Sequence, residues 1–389
     1  MSINSKYMYK NQYFNEYIDL DKKQYRIDRR LKVTFVDRAI ILPAKRDPDC
    51  IWGAGGGIDE KGNFVKESRI RHAFGKAYSF NSEEIREINE DVIYIPCIPN
   101  HWGHFLLDVV SRLWYVLEST CKIAFCISGF PDGKLIPNIQ EFFELLGCSE
   151  DRLIAVDKPV RFRRIMIPEP ALLQDCEWYY HPKYMETIDK VKNAVLQSEQ
   201  AKNFKAYQKI YFTRTKLKTN WYNEAGEKII EDTFRKNGFQ IFSPELLSLS
   251  EQIFLISNCR EIASLSGTIP HNIVFADKDV HFIILSRTAH PNSLQVMFNH
   301  MTEIDYTIID VYHNIKKPSY YGSGPFWVEY NNNLKSYMAD HWENAKYPGI
   351  FSVISNRAFG AIHYCIGLLW KRVKKMQILK KLYHMLCGR

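Results

Sequence analysis

Apolar positions along this chain fall into two rhythms, short continuous runs and longer stretches spaced three or four apart. The first mark strands and the second helices. Leu31–Val36 and Ala39–Leu42 are predicted as early strands. The glycine-rich Trp52–Gly57 is predicted to turn the chain ahead of a hairpin from Gly57 to Val65, because Glu60-Lys61-Gly62 is turn chemistry. Val92–Ile95 reads as a strand, Asn100 to Leu117 as a helix, Ile123–Ile127 as a strand, Ile139–Leu146 as a helix and Leu153–Val156 as a strand. An irregular aromatic stretch from Pro168 to Pro182 precedes a connector helix over about Tyr184 to Gln200.

The rhythm returns after the connector. Ile210–Phe212, Phe239–Phe242, Glu261–Ser264 and His281–Leu285 are predicted strands. Glu224–Lys236, Ser250–Ser257 and Thr268–Phe275 are predicted helices between them. Strand, helix, strand on both sides of a connector predicts an α/β fold with parallel sheets and right-handed crossovers. The expected division is 1–190 with the connector, 207–310, and an extension over 311–389. No internal repeat and no low-complexity segment is evident.

Candidate chemistry sits at the element ends. His104 and Asp108 are four apart near the start of the helix that follows Val92–Ile95. They share one helix face, and a carboxylate there can orient the imidazole as an acid/base pair. The plainer alternative is a buried histidine satisfied by a local carboxylate. Arg214 lies just past the strand Ile210–Phe212, with Lys216 two residues on. Open α/β sheets bind ligands at the carboxyl ends of their strands, where a guanidinium can hold a diphosphate bidentately. A surface arginine is the alternative. Ser266-Gly267-Thr268 leads into a short helix, as a phosphate site or an ordinary N-cap would. Glu251, in the first turn of its helix, can accept from a ribose or base hydroxyl or stand in solvent favoured by the helix dipole. Asp19/Asp21, Asp47/Asp49 and Asp277/Asp279 lie in polar turns with no further ligand in view, so no metal site is assigned. The glycine run lacks the Lys-Ser/Thr ending of a phosphate loop.

Several of these segments, in order, resemble glycosyltransferase family 61. They are Gly103-His104-Phe105-Leu106-Leu107-Asp108, Lys209 to Lys216 ending in Arg214, the pair Asn223-Glu224, Gly238 to Ile241, Pro244-Glu245, Leu249 to Gln252, and Gly267 with Asn272 to Phe275. The resemblance spans roughly residues 50 to 290 and is nearest to bacterial members associated with capsule and other surface polysaccharides. It implies the GT-B architecture, two Rossmann-like domains facing a cleft. It also implies inverting transfer of a sugar from a nucleoside diphosphate donor, UDP first among candidates, to a hydroxyl of an oligosaccharide or lipid-linked glycan. His104 is then the expected base, oriented by Asp108. The expected donor contacts are Arg214, Lys216, Glu251, Ser266, Gly267, Thr268, His271 and Asn272. No cofactor is required by this reading, and a divalent metal stays open. The chain departs from the pattern at Ser266, which stands where the family has a histidine, with His271 five residues later. A non-catalytic sugar-binding or membrane-scaffold relative is the alternative.

Composition adds a second theme. At 389 residues and 46% hydrophobic, the chain has ample core for two domains. The start has no apolar signal segment. The nine cysteines form no Cys-x-x-Cys pair and fit reduced thiols, so a cytoplasmic protein is expected. The formal net charge of +8 is concentrated at one end. No acidic residue follows Glu343, whereas nine cations do, and the rest of the chain is near neutral, which argues against a nucleic-acid groove. Apolar Ala361 to Trp370 leads into Lys371–Leu386, where Val373, Met376, Leu379, Leu382, Tyr383 and Leu386 alternate with lysines. A C-terminal basic amphipathic helical tail is predicted. It is expected to lie on the anionic inner face of the cell membrane and to be dispensable for folding.

Overall fold

The computed structural model describes residues 14–128, 134–217, 224–290, 292–313 and 324–387, with 14–15 and 377–387 described by backbone alone. Asn223 and Arg389 lie outside the described residues, as do the side chains of Leu379, Lys380, Lys381, Leu382, Tyr383 and Leu386. The chain forms two compact units. The first is Gln24–Phe204 with Ser248–Phe254; the second is Met1–Lys23, Lys205–Leu247 and Leu255–Arg389.

The first unit is built on a seven-stranded mixed sheet in the order Ala54–Ile58, Ile40–Lys45, Val160–Pro168, Arg86–Pro99, Lys122–Ser128, Leu153–Ala155, with Val33–Asp37 also paired to Val160–Pro168. The four strands from Val160–Pro168 to Leu153–Ala155 run parallel, and the other three pair antiparallel. Val160–Pro168 is central, but its apolar run is confined to Ile165-Met166-Ile167. Phe162, Ile165 and Ile167 are buried, while Arg161, Arg163 and Arg164 pair with Glu87, Asp91 and Asp37. The glycine run departs from the predicted turn: Ala54–Ile58 is a fully buried strand. Gly56 has φ +117°, and a Cβ there would lie 2.9 Å from the Phe64 ring and from Ser68 Oγ, so the glycines let the backbone pack against side chains.

The second unit holds a five-stranded, all-parallel sheet in the order Gln240–Phe242, Lys209–Phe212, Glu261–Leu265, His281–Ser286, Asp305–Asp310. Tyr211, Phe234, Ile283, Ile309 and Trp342 are among the residues of its core. The helix Ser293–Thr302 and the strand Asp305–Asp310 extend the rhythm beyond the last predicted strand. This unit also takes in the N-terminal helix Phe14–Asp21: the Asp21 carboxylate accepts from Tyr306 Oη at 3.0 Å and lies 3.2 Å from His300 Nε2.

The C-terminal helix is longer than predicted. It runs Ile350–Cys387, 38 residues, or about 57 Å at the usual rise. One face packs on the second unit. Val353 joins its core, Arg357 Nε pairs with Glu329 at 2.7 Å, Asn356 donates to the Gly226 carbonyl at 3.4 Å, and Lys371 donates to the Gly324 carbonyl at 2.7 Å. A Cβ at Gly360 would lie 2.5 Å from Trp327 Nε1. The opposite face exposes Phe351, Ile354, Ile362, Ile366, Leu369, Val373 and Met376. The expectation of a dispensable tail is therefore corrected for its first half, which belongs to the body. No helix among the described residues is long and apolar enough to cross a membrane.

Candidate functional site

The strand Arg86–Pro99 leads through Asn100 into His101, whose extended backbone (φ −159°) lets its side chain accept the His104 N–H at 3.4 Å. The segment beyond is not one regular helix. Trp102–His104 is α-helical, Phe105–Val109 a π-helix and Val110–Leu117 a 3₁₀-helix. Single π-turns are rare and gather at functional sites. The Tyr184 hydroxyl donates to the Leu106 carbonyl inside the π-turn at 3.0 Å.

The four-residue spacing does bring the predicted pair together: His104 Nδ1 lies 3.3 Å from Asp108 Oδ2. The carboxylate is buried, whereas the imidazole is 40% exposed. A third residue completes the cluster. Arg71 grips Asp108 bidentately, Nε to Oδ1 at 2.9 Å and Nη2 to Oδ2 at 2.7 Å, and its Nη2 lies 3.3 Å from His104 Nδ1. Arg71 sits at φ +46°, a strained conformation for a side-chain-bearing residue, on a turn anchored by buried Ile70 and Phe74. Beneath it, buried Arg112 donates to the carbonyls of Pro168 at 2.6 Å and Arg69 at 3.3 Å. Burial pushes the Arg112 pKa down to about 10, which still leaves it protonated at neutral pH. Trp52 and His101 flank the His104 ring, each with centroids 4.9 Å away. Nδ1 can serve only one of these neighbours: in the tautomer protonated at Nδ1 it donates to Asp108 and Nε2 presents a lone pair, whereas in the other it accepts from Arg71 Nη2.

In the second unit, counting along the chain gives a strand order of 2-1-3-4-5. The connections diverge between Lys209–Phe212 and Glu261–Leu265, the topological switch point at which such sheets bind ligands. Arg214 follows the first of these strands and Ser266-Gly267 the second. Arg287 follows the neighbouring strand His281–Ser286. Arg214 Nε bonds Glu224 Oε2 at 2.7 Å, and Arg287 Nη1 bonds Glu224 Oε1, so one buried carboxylate bridges two guanidiniums. Ser266 Oγ accepts the Arg287 N–H at 3.1 Å, and Arg287 lies 4.1 Å over the Phe326 ring. Gly267, at φ +152°, leaves room for the Arg287 guanidinium: a Cβ would lie 3.2 Å from its Nη2. Arg214, Ser266 and Gly267 thus share one cluster with Glu224 and Arg287.

Two more glutamates brace that cluster. Glu227 accepts the Arg214 N–H at 3.1 Å and the Tyr211 hydroxyl at 3.0 Å, and burial pushes its pKa up to about 7. Glu231 accepts from the Thr213 and Thr215 hydroxyls at 2.9 and 2.6 Å. Burial opposes its ionisation, but Lys228, Arg235 and the two threonines outweigh that and hold it down to about 2. The two act in opposite senses. Folding favours protonated Glu227, so that contribution to stability is lost as pH rises from the ordinary 4.5 towards about 7. The Glu231 contribution is present above 4.5 and lost as pH falls towards about 2. Glu227→Gln should therefore remove a decline in stability, on the order of 2–3 kcal/mol, between pH 4.5 and 7.5. Denaturant titrations at the two pH values check this, and a decline of the same size in the variant would contradict it.

The other predicted contacts are placed differently. Lys216 is exposed two residues beyond Arg214. Thr268 precedes Ile269–Phe275, a seven-residue 3₁₀-helix with Pro270 in its first turn, and makes no side-chain cap bond. The phosphate-binding potential of this loop thus rests on its neighbouring arginines. His271 and Asn272 are buried, and His271 Nδ1 meets Gln295 Oε1 at 2.8 Å. Glu251 belongs to the first unit and Arg214 to the second. Its carboxylate accepts from the Ser248 N–H at 2.8 Å and hydroxyl at 3.0 Å, while Ser248 Oγ accepts the Glu251 N–H at 3.1 Å. That is a capping box, which occupies the carboxylate the sequence offered to a ribose. Among the described residues, no group of three His, Cys, Asp or Glu side chains is placed to hold a metal ion.

Arg71 and Arg287 were not anticipated. Arg287 repeats the strand-then-arginine signal of Arg214 and could have been found by it. Arg71 lies in a turn over thirty residues before its partner, where sequence carries no signal.

A parallel sheet with polar and charged residues gathered at its switch point is compatible with the Rossmann-like class of α/β proteins. The glycosyltransferase 61 family model matches residues 102–283, a span that contains His104, Asp108, Arg214, Ser266 and Gly267. That stretch is thus similar to glycosyltransferase 61 proteins, and the domain supports a glycosyltransferase enzyme. No curated protein matches the sequence.

Proposed function

We propose an inverting glycosyltransferase of GT-B type that moves a sugar from a nucleoside diphosphate donor, most simply a UDP-sugar, to a hydroxyl of an oligosaccharide or lipid-linked glycan destined for a bacterial surface, capsular or lipopolysaccharide. The observation that carries this reading is the pair Arg214 and Arg287 at the switch point, held by one carboxylate. Two guanidiniums there would take the charge that develops on the leaving diphosphate. In the direct displacement, the bond from the anomeric carbon to phosphate breaks as the bond to the acceptor oxygen forms. His104 Nε2 takes the acceptor proton, while Asp108, fixed by Arg71, holds Nδ1–H. Calorimetric titration with UDP, GDP and the corresponding monophosphates tests the donor site. A diphosphate bound clearly more tightly than its monophosphate supports it, and equal affinities contradict it. A non-catalytic sugar-binding relative is the second reading, because Ser266 stands where the family has a histidine. It would bind nucleotide sugar without releasing diphosphate.

The C-terminal helix is proposed to dock the enzyme peripherally on the cytoplasmic face of the membrane. Its exposed apolar stripe runs from Phe351 to Met376, and Lys371, Arg372, Lys374 and Lys375 follow Trp370. Each cation near an anionic surface contributes about 1 kcal/mol. Removing residues 372–389 should leave cooperative unfolding intact, since the contacts of Val353, Arg357 and Gly360 remain, yet abolish flotation with anionic vesicles at moderate salt. Unchanged flotation of that variant would contradict membrane docking.

A further inference from the structure

The first unit contains an open groove of about 730 Å³ that the chemistry at His104 does not use. One wall is the chain around Arg30, Lys32 and Phe35, leading into and along the strand Val33–Asp37. Trp114, Tyr115 and Lys183 also line it. That volume lies within the roughly 300–1,000 Å³ of ordinary ligand sites, with room for more than one sugar unit.

The groove has a definite charge. Among the described residues that line it, the one carboxylate is Glu118, bound to Lys183 Nζ at 2.6 Å. Arg30 and Lys32 are exposed and pair with no carboxylate among the described residues. Nearby Glu169 is already taken up by Arg29, at 2.9 Å, and by the Lys32 N–H, at 2.9 Å. Two cations are thus left to face an occupant. Beside them the Phe35 ring is 56% exposed on its strand. Trp114 is buried, with its indole N–H on the Glu169 carbonyl at 2.8 Å, so the aromatic surface open to the groove is that of Phe35, with half-buried Tyr115 beside it. Aromatic surface suits the C–H face of a pyranose, and paired cations suit its anionic substituents.

Trp114 and Tyr115 lie on the same Trp102–Leu117 segment as His104, ten residues further along. At helical rises that is about 15 Å, the span of a few sugar units. We propose that this groove is a distal acceptor subsite for an anionic glycan, one whose sugars carry carboxylate or phosphate. The proposal rests on the reading of His104 as the acceptor-side base.

The test uses the full chain and three probes of equal length: tetragalacturonate, its fully methyl-esterified form, and a phosphorylated tetrasaccharide. Binding is followed by tryptophan fluorescence and calorimetry at low salt. An anionic probe should bind at least tenfold more tightly than the ester, and whichever anionic probe is preferred identifies the substituent. The double variant R30E/K32E should lose at least tenfold of that affinity, and Phe35→Ser a smaller part. Both should bind UDP as the parent does, which shows the fold intact and separates failure here from failure of the donor site. No binding of either anionic probe, equal binding of ester and acid, or undiminished binding by R30E/K32E would each overturn the subsite.

Discussion

His104→Ala should lower kcat by about 10²–10⁴ while leaving the affinity for nucleoside diphosphate unchanged, the range expected for removal of a general base. The separation follows from placement: His104 lies in the first unit, and the arginines assigned to the diphosphate lie in the second. Asp108→Asn should also depress kcat, because its amide can present a donor towards Nδ1 and favour the wrong tautomer, and because Arg71 loses its bidentate partner. Arg71 is a positioning residue, so Arg71→Lys should retain more activity than Arg71→Ala. Steady-state kinetics with separate kcat and donor KM check the set. Near-parental kcat in both His104→Ala and Asp108→Asn would make the cluster structural.

Arg214→Ala should weaken nucleoside diphosphate binding by about 2–4 kcal/mol, as truncation of one partner in a desolvated charge pair does. Arg287→Ala should do the same. Each loss includes the cost of leaving Glu224 with one guanidinium instead of two. The two effects should not add, because both arginines act through the same carboxylate and the same phosphates. Calorimetry on the two single variants and the double variant measures this. Parental affinity in either single variant would remove that residue from the site.

Most of the second unit was legible because its strands are apolar runs that carry their own signal. Ile210–Phe212 and His281–Leu285 were placed within a residue or two of their observed ends. Val160–Pro168 was not, since three outward arginines interrupt its apolar face and only the sheet shows which side each residue takes. The glycine strand Ala54–Ile58 looked like a turn because glycine reports conformational freedom, and here that freedom is spent on close packing. The C-terminal helix was started too late because its packed face mixes Val353 and Gly360 with polar Asn356 and Arg357 while its exposed face is apolar, which blurs the periodicity.

At the site, His104 with Asp108 was legible because both lie within one helical turn. The Arg71 clasp was not, because it closes across 37 positions. The second unit shows the same split. Arg214 and Gly267 sit where a strand-end reading puts them. The carboxylate that binds Arg214, Glu224, was visible only as half of a family pair. Glu251 misled because a first-turn glutamate has the same sequence signature whether it faces a ligand or closes a capping box with Ser248.

The most direct measurement of the central claim is turnover. Parent, Arg214→Ala and His104→Ala proteins are each incubated with a panel of nucleoside diphosphate sugars and a glycan acceptor, and released nucleoside diphosphate is quantified against glycosylated product. The account predicts one preferred donor, diphosphate and product in equal amounts from the parent, weak donor binding by Arg214→Ala, and normal donor binding without turnover by His104→Ala. Donor binding by the parent with no diphosphate released from any sugar nucleotide would contradict it.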